Sequence, residues 1–136
     1  MQRTRKILVV EPERDVGAVL RAVFEQAGFK PVCLRDSTEA LRRLERESFG
    51  FALVEVFLPR LGGLHLAGEL DRRGIPLLMM TGHPTGMALL DDHVYPCLYK
   101  PFRLKILLSS MEEIMAAHAA RRTAFAAQAG ASAWLH

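Results

Sequence analysis

Short, uninterrupted apolar runs separated by amphipathic segments are what most constrain this chain. Ile7-Leu8-Val9-Val10, Phe51-Ala52-Leu53-Val54 and Leu77-Leu78-Met79-Met80 show no polar–apolar alternation. A strand reads this way when both of its faces are covered, as in a parallel sheet flanked by helices. Between the runs lie helical patterns. Val16, Val19, Leu20, Val23 and Phe24 recur at helical spacing over Glu13 to Ala27, with Gly28 as the stop. Asp36 or Ser37 caps a second helix carrying Ala40, Leu41 and Leu44, and Leu64 to Arg73 is a third, closed by Gly74. The sequence predicts strands at Lys6–Val10, Lys30–Leu34, Phe51–Val56, Pro76–Met80 and Tyr95–Tyr99, and a long last helix from Phe102 or Arg103. Strands alternating with helices require parallel pairing and right-handed crossovers, hence a three-layer α/β sandwich around a five-stranded sheet.

Three of these strands end on charge. The first stops on Glu11, the third carries Glu55 at its end, just ahead of Pro59 and Gly62-Gly63, and the fifth leads into Lys100. In open parallel sheets, ligands and chemistry gather at the carboxyl ends of the strands. Two acids and a lysine there predict a small charged pocket.

Composition narrows the alternatives. One core fits 136 residues, and the net charge of +3 is spread over arginine pairs (Arg42-Arg43, Arg72-Arg73, Arg121-Arg122) rather than one block. With no aromatic or glycine-rich RNA motif beside them, these read as solvated helix faces, and no nucleic-acid partner is expected. No apolar stretch is long enough to span a bilayer, and the first residues lack a signal-peptide core, so a cytoplasmic protein with no membrane partner is expected. Cys33 and Cys97 read as reduced thiols in apolar strands. His65, His93, His118 and His136 show no metal-ligand spacing, and His83 is a lone loop histidine. Glu11-Pro12-Glu13 fills the place of a glycine-rich phosphate loop, which argues against nucleotide or flavin binding, and no Gly-x-Ser-x-Gly elbow supports hydrolase chemistry.

Four segments, taken in order, resemble the signatures of a response-regulator receiver domain. They are Ile7-Leu8-Val9-Val10-Glu11-Pro12-Glu13, Ala52-Leu53-Val54-Glu55-Val56-Phe57-Leu58-Pro59, Met80-Thr81-Gly82 and Tyr99-Lys100-Pro101-Phe102. The resemblance runs from about Arg5 to the middle of the last helix. It implies a doubly wound, flavodoxin-like sheet with strand order 2-1-3-4-5. It also implies magnesium-assisted transfer of a phosphoryl group from a kinase histidine to an aspartate. Thr81, Lys100 and the carbonyl of Phe57 sit where such domains hold the phosphoryl oxygens and the metal, and Glu11 takes the first acid position. A cis bond at Lys100-Pro101 is implied as well.

Two departures bear on that chemistry. Pro12 stands where the second acid, the main metal ligand, belongs, and Glu55 stands where the phosphoacceptor Asp belongs. The extra methylene moves the carboxylate by roughly a bond length and a half, and misplacement on that scale can cost about a hundredfold in rate. Glu55 is expected to pair with Lys100, with Glu11 competing, either as a fixed salt bridge or as an imitation of a phosphorylated Asp that reaches Thr81 and Lys100 together. Cys97 falls where many receivers keep a switch aromatic, so the usual threonine–aromatic coupling is expected to be absent. Between Thr81 and Lys100 only Met87 to Asp92 is expected to make a turn or two of helix. This resembles a subgroup frequent in alphaproteobacterial signalling, in which the fourth helix is short or mobile.

The chain is therefore expected to be a receiver over residues 1–120 with a C-terminal helix extension and tail over 121–136. The expected function is that of a stand-alone, non-enzymatic pseudo-receiver, a protein-interaction adaptor with no metal or other cofactor. Its partner would be a histidine kinase or other signalling protein, met through helix four, strand five and helix five. The alternative is a working phosphoacceptor that cycles with magnesium. Leu104, Leu107, Leu108, Met111, Ile114 and Met115 form the stripe expected to pack on the sheet. The alanine-rich continuation, with Arg121-Arg122, Phe125, Trp134 and Leu135, would frame a homodimer or partner surface, or else a mobile tail.

Overall fold

A computed structural model of the protein describes residues 5–90 and 95–134. Five strands and five helices alternate: β1 (Lys6–Val10), α1 (Arg14–Gln26), β2 (Lys30–Leu34), α2 (Ser37–Leu44), β3 (Phe51–Glu55), α3 (Gly63–Arg72), β4 (Leu77–Thr81), α4 (Pro84–Leu89), β5 (Cys97–Tyr99) and α5 (Leu104–Trp134). The sheet is parallel throughout, in the order β2-β1-β3-β4-β5. This is the expected doubly wound, flavodoxin-like order, with its switch point between β1 and β3.

The period-two geometry of strands explains the unbroken apolar runs. Leu8, Val10, Ala52, Val54 and Met79 face one way, into a core closed by α2 and α3. Ile7, Val9, Phe51, Leu53, Leu78 and Met80 face the other way, against Leu20 and Phe24 of α1 and Leu107 and Met111 of α5. Each strand serves two cores, so neither parity can be polar.

Several boundaries differ from expectation. β3 ends on Glu55 rather than Val56, β4 extends to Thr81, and β5 is only three residues long. Helix α4 begins at Pro84, not Met87, because proline suits the first helical turn, where its missing N–H is not needed. The end of the expected helix, Asp91-Asp92, lies outside the described residues. Val19 and Leu104 were expected on buried stripes but are 54% and 42% exposed. Each sits at the margin of its helix's apolar face, where spacing alone does not separate edge from centre. Along α5, residues 120 to 129 are all exposed.

The turn after β3 is tight. Gly63 opens α3, donates its N–H to the Val56 carbonyl at 2.9 Å, and sits so close that an added Cβ would run into the carbonyl oxygens of Glu55 and Val56. Gly68, in mid-helix, has no such neighbour. Gly63→Ala is expected to lower unfolding free energy by about 1–3 kcal/mol through steric strain. Gly68→Ala should raise it by about 0.5–1 kcal/mol through backbone entropy. Urea denaturation of the two variants checks both signs.

Candidate functional site

The switch point sets two acids side by side. β1 and β3 are neighbours, so Glu11, just past β1, and Glu55, the last residue of β3, share the carboxyl edge of the sheet. Both are buried, at 2% and 6% exposure. Lys100 follows β5, two strands from β3, and its long side chain crosses the end of β4 to reach them. Its Nζ donates to Glu11 Oε1 at 2.5 Å and to Glu55 Oε1 at 2.7 Å. The two acids do not compete for the lysine, because it bridges them.

The remaining carboxylate oxygens are taken by backbone. The Glu13 N–H donates to Glu11 Oε2 at 2.9 Å, at the entrance to α1, and the Phe57 N–H donates to Glu55 Oε2 at 2.9 Å. Burial lowers the pKa of Lys100, but hydrogen bonds and charge from Glu11 and Glu55 outweigh it and hold the ammonium above the ordinary lysine value.

Thr81 is fully buried at the end of β4. Its Oγ1 accepts from the His83 N–H at 3.2 Å and lies against Gly86, where any added Cβ would collide with it. No hydrogen bond described in the structure joins Thr81 to Glu55. Glu55 thus reaches one of the two groups that a phosphoryl mimic would engage. Cys97 is half-buried, and burial together with the nearby Glu55 carboxylate pushes its thiol up to about 11, so it stays protonated near neutrality. The Lys100-Pro101 bond is cis.

Two contacts around this pocket were not read from sequence. Ser37, fully buried, donates to the Pro59 carbonyl at 3.0 Å and accepts from the Leu61 N–H at 2.9 Å, tying the start of α2 to the loop after β3. A serine at a helix start reads as a cap, and that signal hid its second role. In fact Asp36 is the cap, accepting from the Glu39 N–H at 2.9 Å. His83 packs edge-on against Phe57, with ring centroids 5.4 Å apart, and its Nδ1 accepts from the Thr85 N–H at 3.2 Å.

The donor set does not suit magnesium, which wants several free oxygen ligands. Pro12 has no side-chain oxygen, and all four carboxylate oxygens of Glu11 and Glu55 are already engaged. Among the described residues no group of three or more His, Cys, Asp or Glu side chains could hold a metal.

Residues 7–112 match the response regulator receiver domain family. The chain belongs to that family. CpdR, a response regulator receiver protein of Brucella abortus, is 28% identical, aligning 83% of this chain with 98% of its own length. DctD, the C4-dicarboxylate transport transcriptional regulatory protein of Rhizobium meliloti, is 25% identical, with 96% of this chain matching 31% of it. Against DctD and the PhoP regulator of Bacillus subtilis the chain spans about a third of the relative's length. A CheY-like receiver from Methanospirillum hungatei superimposes with a TM-score of 0.77 at 21% identity, over 88% of this chain and 99% of that one, which establishes the shared fold. The chain is thus a receiver domain of two-component signalling.

Removing the bridging ammonium should be costly. Lys100→Met leaves two buried carboxylates facing each other, with an expected loss of about 3–5 kcal/mol in unfolding free energy. Adding Glu11→Gln and Glu55→Gln to that variant should recover most of the loss in denaturant titrations. The pairing also sets a pH dependence. Because the folded-state pKa of Lys100 is raised, its stabilisation is complete below the ordinary value of 10.5 and is lost as pH climbs past it through the folded value. Thermal melts of the natural protein should show that alkaline decline, and Lys100→Met should reduce it.

Proposed function

We propose that this receiver acts without phosphoryl transfer, as a non-enzymatic adaptor that needs no metal and works by protein contact in the cytoplasm. The observation that carries this reading is the closed Glu11–Lys100–Glu55 bridge. The group that would accept a phosphoryl is a glutamate with both oxygens bonded. The lysine that would hold the phosphoryl is spent on two acids, and Pro12 leaves no carboxylate for a metal. The bridge supplies from within the chain the charge balance that a phosphorylated aspartate would create with its lysine.

Receiver domains meet histidine kinases and other signalling proteins, and we assign this one a partner of that class. The contact face would be that of α4, β5 and α5. Tyr99 of β5 and Leu104 and Ile106 of α5 are large side chains left 44%, 42% and 46% exposed on these elements. No described helix is long and apolar enough to cross a membrane.

An amide NMR titration with magnesium and then beryllofluoride tests the reading. The natural protein is expected to show no shifts at Glu55, Thr81 and Lys100, while a Pro12→Asp, Glu55→Asp variant responds at all three. Saturable shifts at those residues in the natural protein would show a working phosphoacceptor and overturn the adaptor reading.

A further inference from the structure

Arginines of this chain differ in what holds them. Arg43 pairs with Glu47 and Arg72 with Glu69, each three or four residues away. Three others find no acid. Arg14 and Arg21 form no hydrogen bond or ion pair among the described residues. Arg35 makes one bond, from Nε to the Pro12 carbonyl at 3.1 Å, which uses neither of its terminal nitrogens. All three line one groove.

That groove, of about 210 Å³, runs between α1 and the edge strand β2. Arg14, Gly17, Ala18 and Arg21 follow one another at steps that place them on one face of α1. Gly17 and Ala18 keep the middle of that face low, while Cys33 and Leu34 form the facing wall. A Cβ added at Gly17 meets nothing within 4 Å. The glycine, which weakens a helix interior, therefore makes room for no packed neighbour, and the space it leaves belongs to the groove. Arg35 stands at the Arg14 end, since its bond to Pro12 ties it to the entrance of α1. Arg21 lies two turns further along the helix, close enough to Cys33 to act on its thiol by charge. The result is a trough with small, largely apolar groups along its middle and guanidinium groups at both ends.

Charge selects the occupant. Two acids share the wall, Glu11 and Glu13. Glu11 already has both oxygens bonded, to Lys100 and to the Glu13 amide. Glu13 is left to offset three guanidinium groups, and an incoming anion would balance the excess. Guanidinium takes carboxylate and phosphate oxygens two at a time. The middle of the trough favours a ligand with carbon behind its charge. An apolar cavity of about 150 Å³ takes a benzene ring, so a single ring or a short chain suits this volume. A bare inorganic ion would leave the middle unfilled, and an acidic peptide would gain nothing from it.

We propose that the α1–β2 groove binds a small organic anion, a carboxylate or phosphate ester with a short apolar body. Arg14, Arg21 and Arg35 hold its oxygens, and its carbon frame lies against Gly17, Ala18 and Leu34. The groove uses no atom of Glu55, so its test reads separately from whether that residue accepts a phosphoryl group.

Amide NMR titrations of the full chain at matched ionic strength test it, with benzoate, phenyl phosphate, inorganic phosphate and a hexaglutamate peptide as probes. Benzoate or phenyl phosphate is expected to give saturable shifts at Gly17, Ala18, Cys33 and Leu34, and the tighter of the two identifies the head group. Inorganic phosphate and hexaglutamate should bind at least about tenfold more weakly. Arg14→Gln and Arg21→Gln should each weaken the organic anion about tenfold. Gly17→Leu fills the trough while leaving every arginine in place, and should abolish binding with an unchanged circular dichroism spectrum. Silence with both organic anions overturns the proposal. So does binding that survives Gly17→Leu or ignores the arginine substitutions, or an inorganic phosphate or hexaglutamate affinity equal to that of the organic anions, since each would show surface charge rather than a built site.

Discussion

A single ammonium held between two buried carboxylates leaves a net negative charge at the carboxyl edge of the sheet, and much of the local architecture answers to that charge. The Glu13 and Phe57 amides point at the second oxygen of each acid. The Glu13 amide does so at the start of α1, where the positive end of the helix dipole also favours an anion. Neither acid could be buried in this way without the lysine, since an unpaired buried carboxylate is among the costliest groups a core can hold. The strand order makes the pairing possible. With β1 beside β3, the acids are neighbours, and with β5 two places from β3, only a side chain as long as lysine spans the gap over Thr81.

That geometry gives the longer side chain at position 55 a physical use. Strand neighbours in a sheet lie about 4.8 Å apart, so groups at the edge meet only if their side chains supply the reach. One Glu55 oxygen bonds Lys100 while the other bonds the Phe57 amide of its own loop. Both oxygens are then fixed. Nucleophilic attack needs a carboxylate oxygen that can leave its partner, and here that means breaking a buried ion pair. Pro12 adds no carboxylate that could help hold a metal charge to offset such a break.

The sheet and its charged edge were legible in the sequence because both rest on rules that local residues obey strictly. Apolar runs such as Ile7 to Val10 and Phe51 to Val54 require two covered faces, and acids that end such runs sit at strand termini. The pocket members Glu11, Glu55 and Lys100 followed from position alone. Their bonding did not: two acids expected to compete turned out to share one donor, which depends on an approach distance that no spacing pattern carries. Ser37 was hidden for a different reason, because a serine at a helix start has an obvious local role and its contacts with Pro59 and Leu61 arise only from packing. Val19 and Leu104 show the limit of periodicity, which finds a helix face but not where the neighbouring layer stops.

The surroundings of Thr81 bear on how such a domain could signal. A receiver that switches on phosphorylation needs its threonine and a neighbouring aromatic free to move together. Here Thr81 accepts from the His83 backbone and is pressed against Gly86, so its hydroxyl is held by the very loop that would have to follow it. Position 97 offers a small half-buried thiol bonded to the Leu98 carbonyl, with no ring to rotate. Among the described residues no hydrogen bond joins Glu55 to Thr81 or to Cys97. On the adaptor reading proposed above, the bridge keeps Glu11, Glu55 and Lys100 in one arrangement without a phosphoryl group. On that reading the signal lies in what the domain touches, so contacts made by its surface, not turnover at Glu55, would carry it.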